Sequence, residues 1–137
     1  MTEGIKFYQT LFSTPFPYAK YDQIYVPEFR IRGMENVGMI TLTDRCLVDQ
    51  ASITEDQKML HRRVTIHELA HMWFGDLITM KWWNDLWLKE SFADFCASCC
   101  LLECDALVSV YPDAFHVPLT FTERALDADL KPTTHPI

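Results

Sequence analysis

Two histidines and two glutamates carry the clearest chemistry in this sequence: His67, Glu68 and His71 in "HELAH", and Glu90 after eighteen intervening residues. A helix advances about 100° per residue, so His67 and His71 project from one face about 40° apart and can converge on one ion. Imidazole nitrogens suit zinc at roughly 2.0 to 2.1 Å. Glu68 points about 100° away from His67, beside a metal rather than on it. That position suits a general base acting on water that the metal activates. A catalytic zinc normally has three protein ligands and one open position, so a third donor is sought on another element. Glu90 is the natural candidate if it opens a second helix that packs antiparallel to the first. Asp94, one turn later, can accept a proton from the distal ring nitrogen of a ligand histidine and hold that imidazole in place. Phe74 and Leu77 stand where a third-histidine extension would need glycine and histidine, which excludes a third histidine ligand at that spacing. His61, His116 and His135 read as surface or satisfied polar residues.

These side chains need two helices to position them. Thr54 precedes Gln57 by three residues, a capping-box spacing, and Glu55 and Asp56 place negative charge where a helix N-terminus favours it. The spacing predicts a helix from about Glu55 to Phe74, with Gly75 at its C-terminal cap. From Leu86 to about Ala106 there is no Gly or Pro, and Leu88, Phe92, Phe95, Cys99 and Leu102 recur at threes and fours, predicting a second long helix. Upstream, Pro15, Pro17 and Pro27 fix turns among aromatic residues. A short helix to about Phe12 and a strand around Gln23 to Val26 are expected there. "VGMITLTDRCLVD" reads as an edge strand or hairpin. The tail, "ERALDADLKPTTHPI", reads as one short helix followed by an irregular end. The fold class is α+β, with no internal repeat and no domain boundary.

Composition excludes several function classes. The chain has 137 residues and is 49% hydrophobic, enough for one domain with a real core. A net charge of −7 and scattered lysines and arginines leave no basic field for nucleic acid. Asp76, Lys81, Asp85 and Lys89 break the Trp-rich middle, so no apolar run approaches the ~18 residues of a membrane span. The N-terminus lacks the pattern of a signal peptide. Cys46 stands alone, and Cys96, Cys99, Cys100 and Cys104 fit small apolar side chains in a helix seam better than a second metal site, since they lack paired spacing or a histidine. A reducing, cytoplasmic setting is expected for this segment; an anchor or signal in a longer parent is a separate matter.

The spacing and its context, "HELAHMWFGDLITMKWWNDLWLKESFADF", resemble the M1 family of zinc aminopeptidases, the gluzincins that include alanyl and puromycin-sensitive enzymes. A second family element, usually GAMEN, is matched by "RGMEN", where Arg32 replaces the first glycine and Gly33 the alanine. The resemblance implies a partial thermolysin-like zincin catalytic domain over residues 1–137. In it a GAMEN-like edge strand precedes two long helices that carry the zinc site. The family's N-terminal β-domain and C-terminal helical domain are expected to lie outside it. It also implies one Zn2+ held by His67, His71 and Glu90, with Glu68 as general base. Glu35 is then expected to bind the free α-amino group of a peptide, and Gly33, Met34, Glu35 and Asn36 to form the cleft wall. The family's transition-state tyrosine would fall near position ~150, and none of Tyr8, Tyr18, Tyr21, Tyr25 or Tyr111 matches it.

The reading that follows is a zinc aminopeptidase acting on peptides with a free N-terminus. A non-catalytic zinc-binding remnant or interaction module is the second reading. A leukotriene-A4-hydrolase-like enzyme is the third, though "NVGMI" resembles the "NWGLI" of ordinary aminopeptidases, with Val37 for the tryptophan.

Overall fold

The structure, a computed structural model, describes residues 1–47, 53–104, 126–127 and 130–131. Helix α1 (Thr2–Leu11) is followed by strand β1 (Asp22–Val26), the two-residue strand β2 (Gly33–Met34) and strand β3 (Met39–Thr43). A 3-10 turn at Asp44–Cys46, helix α2 (Glu55–His71), a 3-10 segment over Trp83–Leu88 and helix α3 (Glu90–Glu103) follow among the described residues. The α+β expectation holds. Leu126 and Asp127 are helical, and the rest of the expected tail helix, with Ala106, Tyr111, His116 and His135, lies outside the described residues.

Strand β3 is central. It pairs in parallel with β1 and antiparallel with β2, giving the order β1-β3-β2, so of the two expectations for this segment the hairpin, with β2, is the one realised. The "RGMEN" strand, β2, takes the edge, as expected. Ile40 and Leu42 of β3 are fully buried, and alternation along the strand turns both onto the helices.

Helix α2 starts where the capping box predicts: the Thr54 hydroxyl accepts from the Gln57 amide at 3.3 Å, and the Thr54 amide donates to Gln57 Oε1 at 2.9 Å. It stops at His71 rather than Phe74. The amides of Met72 and Trp73 tighten onto the carbonyls of Leu69 and Ala70, and the chain reverses at Gly75, whose φ is +130°. The second helix is also shorter than its apolar period suggests. Residues 86–88 belong to the 3-10 segment, whose backbone departs from helical geometry at Asp85 (φ −103°, ψ 23°), and α3 begins only at Glu90. Periodicity cannot resolve this boundary because a 3-10 turn also keeps residues three apart on one face.

The core joins α1, α2, α3 and β3. Gly4 of α1 lets that helix approach α2 so closely that a methyl group there would sit 2.8 Å from Ile66 Cδ1. Fully buried Tyr8 donates its hydroxyl to the Ile66 carbonyl at 3.1 Å, and the Trp73 indole donates to the Thr14 carbonyl at 3.2 Å. Each bond satisfies a polar group that burial would otherwise penalise. Cys96 and Cys100 line the seam of α3 as small buried side chains, and all five cysteines are free, in keeping with the sequence reading.

Candidate functional site

The faces of α2 and α3 meet in a regular register: Arg63 opposite Ser98 and Asp94, His67 opposite Asp94 and Glu90, and His71 opposite Glu90. Partner numbers fall as those on α2 rise, so the helices are antiparallel and contact recurs every four residues, one turn of each helix. This geometry brings Glu90 back to the histidine pair.

The donors converge. His67 Nε2 and His71 Nε2 are 3.0 Å apart, and Glu90 Oε2 is 3.8 and 3.7 Å from them. The centre of that triangle lies about 2.0 Å from each corner, the distance zinc takes from nitrogen and carboxylate oxygen. The three residues present therefore fit the metal in type and in spacing. A second acidic group, Glu35 with Glu68 and His71, shares the same space.

Both imidazoles are oriented from behind. His67 Nδ1 meets Asp94 Oδ1 at 3.1 Å, and Asp94 Oδ2 pairs with the buried Arg63 guanidinium at 3.0 Å. His71 Nδ1 donates to the Phe74 carbonyl at 2.9 Å. With each Nδ1 engaged in this way, each Nε2 is left to face the shared centre. Arg63 was not evident from the sequence. Its signal was the four-residue spacing to His67, which places both on one helix face.

Electrostatics follow from burial and charge pairing. Burial disfavours a charged His67, but its hydrogen bonds to Asp94 and Glu90 outweigh this and raise it to about 9 without a metal. Burial and the neighbouring His67 hold His71 low. The His67 hydrogen bond brings Glu90 down to about 2, and the same histidine holds Asp94 below its usual range. Glu68 behaves oppositely: burial pushes it up to about 7, partly offset by His67. Of these carboxylates, it is therefore the one poised to exchange a proton near neutral pH.

Glu68 packs on the backbone of β2. A methyl group built on Gly33 would collide with its Oε1 and lie 2.6 and 2.8 Å from its Cδ and Cγ. Arg32 causes no backbone conflict: among non-glycine described residues, only Ser13 and Glu28 have positive φ. Gly33, Met34 and Glu35 line a cleft of about 480 Å³ together with His67, Glu68 and Glu90. Asn36 does not line it; its amide turns away to donate to Thr41 Oγ1 across the hairpin at 2.8 Å. Glu35 is buried, and its Oε1 is paired with the ammonium of Lys89. Lys89 was also missed in the sequence, although it immediately precedes Glu90. His61 is satisfied by the Tyr25 hydroxyl at 3.0 Å.

Comparison with known proteins matches residues 1–137 to the family model described as the peptidase family M1 domain. An aminopeptidase N of Streptomyces lividans is 42% identical over 98% of this chain, which covers 16% of that protein. A leucyl aminopeptidase of Saccharolobus solfataricus is 42% identical over 98% of the chain and 17% of its own length. An aminopeptidase N of Haemonchus contortus is 39% identical over 97% of the chain, covering 14% of that protein. The chain thus spans about a sixth of the length of the curated relatives it matches. Among the described residues, no helix is long and apolar enough to cross a membrane.

Proposed function

This chain belongs to peptidase family M1, and we propose that it carries the metal ligands and general base of a zinc aminopeptidase that acts on peptides with a free N-terminus. His67, His71 and Glu90 would hold one zinc ion in a partial thermolysin-like catalytic domain. The relatives' names, aminopeptidase N and leucyl aminopeptidase, support the reaction class. The observation that carries the reading is the convergence of three donors about one centre, with Glu68 beside it.

Bound there, zinc would supply Lewis-acid polarisation of a carbonyl and of water. The chain's own residues then have distinct tasks. Glu68, lifted to about 7 by burial, takes the proton of the attacking water and passes it to the departing amine. Asp94, anchored by Arg63, holds the ring of His67 and makes it a better donor. Gly33 and Met34 offer the edge of β2 to an extended peptide, and Glu35 receives its α-ammonium. A buried carboxylate rewards a free N-terminus and leaves an acylated one without a partner. The expected outcome is an exopeptidase.

Glu68→Gln separates this from a non-catalytic zinc-binding protein. Zinc content should stay at one ion per chain while peptide hydrolysis falls by about 10² to 10⁴. Wild-type hydrolysis in that variant would remove the general-base assignment, and loss of zinc would show that Glu68 is itself a ligand.

A further inference from the structure

The carboxylate assigned to the substrate's amine already holds an amine of the chain itself. Lys89 Nζ is paired with Glu35 Oε1, and both side chains are mostly buried, at 21% and 10% exposure. An α-ammonium and a lysine ammonium are the same kind of group, compact, with three N–H donors and one positive charge. Both cannot crowd one buried carboxylate without repelling each other.

The position of Lys89 is built. It sits at the N-cap of α3, directly after the 3-10 segment, and its stem crosses Gly75, where a methyl group would lie 3.2 Å from Lys89 Cγ and Cε. A retreat is also present: Glu90 turns Oε2 toward the histidines, while its Oε1 is 3.4 Å from Lys89 Nζ. The ammonium can therefore leave Glu35 and remain beside a carboxylate.

We propose that Lys89 is the resident counter-ion of Glu35, which the α-ammonium of a substrate must displace, so that Lys89 sets how tightly the cleft holds free N-termini. The proposal rests on the reading of Glu35 as the amine anchor. Removing the lysine's charge should strengthen binding of free amines and leave acylated ligands unaffected.

The test measures calorimetric affinities of alaninamide and N-acetylalaninamide for the zinc-loaded chain carrying Glu68→Gln, which spares the ligand from hydrolysis. Added Lys89→Gln should bind alaninamide about tenfold tighter and the acetylated amide unchanged. Lys89→Arg keeps the cation and should show no gain. Lys89→Met preserves the stem over Gly75 and should reproduce the gain if the glutamine variant does not fold. Glu35→Gln should erase the preference for the free amine. No gain on losing the charge, with the preference still sensitive to Glu35→Gln, overturns the role of Lys89 alone. A gain shared equally by the acetylated amide also overturns it. A preference that survives Glu35→Gln overturns the amine-anchor reading and the proposal with it.

Discussion

The backbone of Gly33 lies directly against the side chain of Glu68: a methyl group at position 33 would lie 2.6 Å from Cδ and 2.8 Å from Cγ of the glutamate. The edge strand thus fixes where the proposed base rests. Gly33→Leu should displace that carboxylate and leave the three proposed metal donors in place. Displacement by about 1 Å can cost on the order of a hundredfold in rate. The expected result is such a loss in kcat with unchanged zinc content by elemental analysis. Full activity in the leucine variant would show that Glu68 works from another position.

Asp94 joins Arg63 to His67 through its two oxygens, at 3.0 and 3.1 Å. Asp94→Asn keeps the shape and removes the charge that polarises the imidazole. Zinc affinity should fall about 10- to 100-fold, measured by competition with a chelator. The same affinity in the variant would mean that packing alone orients His67.

Gly75 combines a φ of +130° with close neighbours on both sides, because a methyl group there would be 3.0 Å from His71 Nδ1 and 3.2 Å from the Lys89 stem. Gly75→Ala should cost about 1 to 3 kcal/mol through backbone strain, read as a lowered Tm. The pressure on His71 should also weaken zinc binding. A variant as stable as the parent would show that the turn relaxes freely.

Burial pushes the Cys96 thiol up to about 12, and Cys100 higher still for the same reason. A thiol raised on folding favours the protonated state, so this stabilisation is complete below the unfolded value near ~8.5. It is lost as pH rises from there toward about 12, where the folded Cys96 ionises. Stability to denaturant should therefore decline above about pH 9, and at pH 8 both thiols should resist alkylation until the chain unfolds. Fast labelling of Cys96 in the native state would contradict its place in the seam.

The helix start at Glu55 was legible because the capping box is a local signal, written in Thr54 and Gln57 and satisfied by their own backbone. Helix ends were less legible. The early stop of α2 and the late start of α3 depend on the tight reversal at Gly75 and on the 3-10 segment that ends at Leu88, which periodicity cannot report. Trp82 and Trp83 are exposed at 70% and 67%, while Trp73 is 1% exposed, and composition alone does not distinguish them.

The sequence by itself determined that His67 and His71 share a helix face and put Glu68 forward as the base, because i and i+4 on a helix share a face whatever the rest of the fold does. Only the tertiary structure decided which partners stand behind those donors. The antiparallel register of α2 and α3 seats Arg63 on Asp94, and the edge strand sets Gly33 on Glu68. It also decided that Lys89 pairs with Glu35, since 54 positions separate them and only packing brings that ammonium to that carboxylate.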